Sequence, residues 1–94
     1  MTVEEVLALE TRDYQHRNGS YPKSNIADSV EIRQRNDNEF VILCAFKNTT
    51  ESHAKDWIEN FATKHDLKFT SRAEAWQDGD YQDDWVMAEL IVTI

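Results

Sequence analysis

Residues 76–85, with the sequence WQDGDYQDDW, contain the densest group of potential oxygen ligands in the chain. Four carboxylates, from Asp78, Asp80, Asp83 and Asp84, lie between two tryptophans with no basic residue among them. Such a group can bind a divalent cation, imitate the phosphates of a nucleic acid, or simply solvate a loop that joins two strands. These three interpretations predict three different kinds of protein.

The calcium interpretation rests on the spacing of an EF-hand loop, which has oxygen ligands at alternate positions and a glutamate at position 12. Counting from Asp78 places oxygen-bearing side chains at four of these positions, namely Asp80, Gln82, Asp84 and Glu89. However, Asp83 occupies the position where the loop needs glycine, and both flanks have the alternation of strands, where an EF-hand needs helices. We therefore predict neither a metal site nor a cofactor.

The loop interpretation explains part of the stretch. Asp78-Gly79 suits a two-residue type I′ turn, which would pair Trp76 with Tyr81 but place Glu74 opposite Asp83, a repulsive contact. A longer loop over residues 77–84 avoids this repulsion, and we favour it. Either loop accounts for the glycine, but neither accounts for four acids without a base.

The charge distribution favours a protein partner over nucleic acid. The net charge is −8, of which residues 1–47 contribute −2 and residues 48–94 contribute −6, and no basic residue follows Arg72. Affinity for nucleic acid comes largely from Lys and Arg side chains that neutralise phosphates, so direct binding is disfavoured. An acidic surface attracts basic partners instead.

The phosphate-imitation interpretation combines these observations. Carboxylates along a strand or loop can occupy an Arg- and Lys-lined groove that normally binds nucleic acid. Phage-encoded inhibitors of restriction or CRISPR enzymes, and immunity proteins against nuclease toxins, use such surfaces. We predict that the partner is a basic surface of a nucleic-acid-binding enzyme or complex, with the aromatic residues as anchors. The predicted partner-binding residues are Glu74, Trp76, Asp78, Asp80, Tyr81, Asp83, Asp84, Trp85 and Glu89.

Catalysis is not predicted, because no arrangement of nucleophile, base or metal ligand is visible. His16, His53 and His65 are too far apart for the i, i+4 spacing of paired ligands, and we expect His53 to lie on a solvated helix face. Cys44 is in phase with apolar neighbours, which predicts a buried, inert thiol. No glycine-rich phosphate loop or nucleophile elbow occurs.

The same sequence predicts a cytoplasmic protein without a membrane segment. No apolar run approaches the ~18 residues of a membrane helix. The N-terminus, MTVEEVLALE, is acidic and amphipathic, unlike a signal peptide, and the one cysteine fits a reducing compartment.

Two helices are expected to support this surface. Thr2 and Glu5 have the spacing of a capping box that opens a helix ending near His16. Asn48, with Glu51 three residues later, predicts the start of a second helix. The second helix has an apolar stripe that consists of Ala54, Trp57, Ile58, Phe61, Ala62 and His65.

Four alternating or continuous apolar segments predict strands near residues 28–36, 39–47, 67–76 and 84–94. The order α-β-β-α-β-β predicts a single α+β domain over residues 1–94, with a four-stranded, mostly antiparallel sheet and two helices. Strands two and four are apolar on both faces, so either the first helix or a partner covers the second face. The alternative function is therefore a homodimeric regulatory or adaptor domain that associates through the open sheet face, with the acidity serving solubility.

Overall fold

A computed structural model describes residues 1–15, 27, 29–47, 49–77 and 85–94. It confirms the α+β class and the predicted order of elements. These are α1 (Val3–Gln15), β1 (Ser29–Gln34), β2 (Glu39–Lys47), α2 (Glu51–Lys64), β3 (Glu74–Gln77) and β4 (Trp85–Thr93). Neither helix in the described ranges combines the length and apolar character needed to cross a bilayer.

The two helices begin at polar caps. In α1 the predicted capping box is present: the Thr2 amide donates to Glu5 Oε1 at 2.9 Å, and the Glu5 amide donates to Thr2 Oγ1 at 3.2 Å. The predicted cap of α2 at Asn48, which lies outside the described residues, is wrong. The cap is Thr50, whose extended backbone lets its hydroxyl accept the His53 amide hydrogen at 3.1 Å.

The strands form one sheet in the order β1-β2-β4-β3, and every neighbouring pair is antiparallel. The predicted first hairpin is confirmed, with Ile32 opposite Ile42. Strand β4 lies between β2 and β3, so α2 connects two strands that are parallel to each other but not adjacent. The chain therefore places its C-terminal strand in the centre of the sheet.

Both helices cover the same face of the sheet. Val6 and Leu9 of α1 belong to the same buried cluster as Ala54, Ile58 and Phe61 of α2. The strands contribute the alternate residues that point toward the helices: Val30, Ile32, Phe40, Ile42, Cys44, Phe46, Val86, Ala88, Leu90 and Val92. Helix α1 therefore does not cover the second face of the sheet, which was one of the two predicted possibilities.

The third strand is shorter than predicted. Residues 67–73 alternate in character, but of these only Lys68 forms a β-bridge, with Thr93, and strand β3 begins at Glu74. The Ala73 amide donates instead to the side chain of Glu59 on α2, at 2.8 Å. This side-chain acceptor replaces the ladder hydrogen bond that a longer strand would provide.

The prediction for His53 is also wrong, because its ring is half-buried. It packs edge-on against Phe46, with ring centroids 6.5 Å apart. Its Nε2 atom is buried and has no hydrogen-bond partner among the described residues. This side of α2 therefore extends the apolar packing toward the helix N-terminus.

Candidate protein-binding face

The sheet face opposite the helices is the candidate site, and we call it the open face. Side chains alternate along strands, so the residues between the buried ones point to this face. Ile91, on the central strand β4, is 37% exposed, and Trp76, on the edge strand β3, is 38% exposed. The open face consists of Glu31 and Arg33 from β1, Val41, Leu43, Lys47 and the buried Ala45 from β2, Trp85, Met87, Glu89 and Ile91 from β4, and Glu74 and Trp76 from β3.

The register of β3 and β4 decides which loop joins them. Trp76 lies opposite Met87 and Gln77 lies opposite Val86, so the pairing of Trp76 with Tyr81 is excluded. The short type I′ turn is therefore wrong. The longer loop predicted over residues 77–84 lies outside the described residues except for Gln77, which belongs to β3. Five predicted partner-binding residues also lie outside the described residues: Asp78, Asp80, Tyr81, Asp83 and Asp84.

The other four predicted residues are brought together on the open face. Glu74 and Glu89 are direct cross-strand partners, and the row continues through Leu43 to Glu31 on the far edge. Directly opposite side chains have Cβ atoms about 5 Å apart, at which two carboxylates repel each other. Within the described ranges, the side chains of Glu74 and Glu89 have neither a hydrogen bond nor an ion pair, whereas the Glu31 carboxylate accepts a hydrogen bond from Arg33 at 3.3 Å.

Two tryptophans lie on the same face as this carboxylate pair. Trp76 is in the next row of the sheet, opposite Met87. Trp85 is half-buried one row further, where Lys47 lies with its Nζ atom 5.9 Å from the centre of the indole ring. Exposed aromatic side chains beside charged groups are a common feature of binding hot spots.

The Glu59 carboxylate of α2 contacts the two residues that directly precede β3, and no feature of the sequence indicates these contacts. Its Oε2 atom accepts hydrogen bonds from the Arg72 Nε atom at 2.9 Å and from the Ala73 amide at 2.8 Å. The Arg72 hydrogen bond, aided by the Ala73 amide, keeps the pKa of Glu59 below its ordinary value of 4.5, against the opposing effect of burial. The partners are 13 and 14 residues away along the chain, so no local pattern could reveal them.

Cys44 is buried among apolar side chains, as its phase predicts. In the part of the chain that the structure describes, no three His, Cys, Asp or Glu side chains are grouped to hold a metal ion. The open face offers a ligand apolar area, indole rings and two carboxylates that have no counter-charge among the described residues.

Comparison with family models, with curated proteins and with solved structures finds no match.

Proposed function

We propose that this protein is a small acidic inhibitor or regulator that binds, without catalysis, the basic surface of a protein that handles nucleic acid. The observation that carries the proposal is the direct pairing of Glu74 with Glu89 on an exposed sheet face. Two facing carboxylates destabilise a sheet. A cationic partner that binds between them removes this repulsion. The carboxylate pair therefore lowers the stability of the unbound protein and favours its binding to such a partner.

The surrounding charge supports the same partner. Residues 78–84 add four aspartates directly after β3, and the second half of the chain carries a net charge of −6. A surface of this kind raises the association rate of a cationic partner and excludes nucleic acid from the same groove. The proposal puts the protein in the cytoplasm, in the class of phage anti-defence inhibitors or of immunity proteins against nucleases.

A homodimeric regulatory module is the second candidate, and the exposed apolar side chains favour it. Ile91 and Met87 would form the centre of an interface between two open faces. Sedimentation tests this candidate directly: we expect a dimer that is lost on Met87→Lys or Ile91→Lys if it is correct. A monomer at all concentrations contradicts it.

The main proposal is tested with a variant in which the loop aspartates Asp78, Asp80, Asp83 and Asp84 are all replaced by asparagine. A matched control variant removes four exposed acids from the helices and their ends, with Glu4→Gln, Glu51→Gln, Asp56→Asn and Asp66→Asn. Both variants have the same net charge, so a difference between them reports position and not total charge.

The tagged parent chain first captures a partner from its native host at low salt, and the affinity of the purified partner is then measured for each variant. We expect the loop variant to lose binding and the control variant to keep it within a few-fold. We also expect the affinity of the parent to fall steeply with salt, because the contacts are between charges. Parent-like affinity in the loop variant would refute the proposed function.

A further inference from the structure

The apolar part of the open face is a strip two strands wide. It runs along β2 and β4 and consists of Val41, Leu43, Met87 and Ile91, around the buried Ala45. Two neighbouring strands span about 10 Å, which is the diameter of an α-helix with its side chains. The strip therefore suits a single helix laid along the strands better than a second sheet, which would also cover the charged edges.

The two sides of this strip differ in charge. Toward β1, Glu31 is neutralised by Arg33, at 3.3 Å. Toward β3, Glu74 and Glu89 face each other without a counter-charge among the described residues. A cationic group of a partner is therefore expected to bind on the β3 side of the strip and not on the β1 side.

A second copy of the chain does not meet this requirement. A copy packed on the strip would bring its own Glu74–Glu89 pair into the interface. On the open face in the described ranges the basic residues are Arg33, whose guanidinium already pairs with Glu31 at 3.3 Å, and Lys47, which lies at the end of β2 against Trp85. Burying carboxylates without counter-charges is strongly unfavourable.

We infer that the open face is the docking site for an amphipathic helix of the partner, with its apolar stripe along β2 and β4 and an arginine or lysine over Glu74 and Glu89. This inference rests on the proposed function for the basic character of the partner. Met87 and Ile91 are about 13 Å apart along the strand, a distance that about nine helical residues span. The cation extends from the flank of the helix in the middle of this span, at Glu89, and Trp76, opposite Met87 at one end of the span, offers an indole ring for stacking.

The test uses synthetic helical peptides of about 20 residues, the length that matches a nine-residue strand. The first peptide has a leucine stripe with arginines along one flank, and the second has glutamates in place of those arginines. Calorimetry measures the affinity of each peptide, and amide chemical shifts identify the strands that it contacts.

We expect the arginine peptide to bind at least tenfold more tightly than the glutamate peptide and to shift the amides of β2 and β4. Glu74→Gln with Glu89→Gln, and separately Ile91→Ser, should each weaken binding at least fivefold. Glu51→Gln, on the first turn of α2, is the matched control and should change nothing. The Ile91 side chain is already partly exposed, so the serine variant is expected to fold, and its circular dichroism spectrum verifies this.

Three results would overturn the inference: equal binding of both peptides, unchanged affinity in the face variants, or a stable dimer of the parent chain in sedimentation. The outcome is separable from that of the proposed function. If the natural partner is lost by the loop variant and by the Glu74→Gln, Glu89→Gln variant but retained by Ile91→Ser, the proposed function stands and the helix-docking inference fails. If the loop variant keeps the partner and the face variants lose it, the loop-based proposal fails and the docking site stands.

Discussion

Replacing Glu59 by alanine tests how β3, and with it half of the carboxylate pair, is held in position. The substitution removes the acceptor of the partly buried Ala73 amide, at 2.8 Å, and of the Arg72 guanidinium, at 2.9 Å. A hydrogen bond to a charged group stabilises a fold by about 1.5–3 kcal/mol. The Arg72 side chain is 76% exposed, so water screens most of its ion pair.

We therefore expect Glu59→Ala to lower the free energy of unfolding by about 2 kcal/mol, mainly through the Ala73 amide. In a domain of this size such a loss lowers the Tm by roughly 10 °C. Arg72→Ala should have a much smaller effect, because it leaves the Ala73 hydrogen bond intact. Urea unfolding followed by tryptophan fluorescence measures both values, and equal losses in the two variants would refute this assignment.

The pH dependence gives a second check on Glu59. Since the pKa of Glu59 in the folded protein is below its ordinary value of 4.5, the charged carboxylate stabilises the fold above that value. This contribution is lost as the pH falls through the lowered pKa. The difference in stability between the parent and Glu59→Gln should thus be largest near neutral pH and shrink below pH 4.5. A difference that is the same at pH 3 and pH 7 would contradict the reasoning.

Three further predictions concern the two faces of the sheet. Glu74→Gln should raise the stability by about 0.5 kcal/mol at low salt by relieving its repulsion with Glu89, and the gain measured in urea should fade in 1 M salt. Ile42→Ala, in the core, should cost about 2–5 kcal/mol, whereas Ile91→Ala on the open face should cost less than about 1 kcal/mol; thermal unfolding of both variants shows whether the faces differ. Cys44 should react with a thiol reagent only at the rate of global unfolding, and fast labelling of the native protein would contradict its burial.

Much of the fold could be predicted because the central strands have strong local patterns. Strand β2 was predicted over its observed range, residues 39–47, since residues 40–46 are apolar on both faces, as is usual for a central strand. The start of α1 was predicted because a capping box is a contact between residues three apart.

What could not be predicted depends on contacts between distant residues. The start of β3 depends on the side chain of Glu59, which takes the Ala73 amide away from the sheet ladder. Several short polar residues near the start of α2, including Asn48 and Thr50, are good N-caps. The sequence alone therefore does not show which of them caps the helix. The strand order places β4 between β2 and β3, and no periodicity reports which strands become neighbours.

The candidate site, like the fold, could be predicted only in part from the sequence. The residue types on the open face were predicted, because Glu74, Trp76, Trp85 and Glu89 were selected from the sequence. The direct pairing of Glu74 with Glu89 was not, since it follows from the register of β3 and β4. The lack of a counter-charge within the described residues becomes visible only when the neighbouring strands are known.

The most direct test of the central claim is competition between this protein and nucleic acid for the captured partner. The partner is bound to a labelled oligonucleotide, and fluorescence anisotropy follows its displacement as the unlabelled protein is added. We predict complete displacement by the parent, a much weaker effect of the loop variant, and parent-like displacement by the control variant with four acids removed from the helices and their ends. A ternary complex in which the partner holds the oligonucleotide and this protein together would contradict the claim.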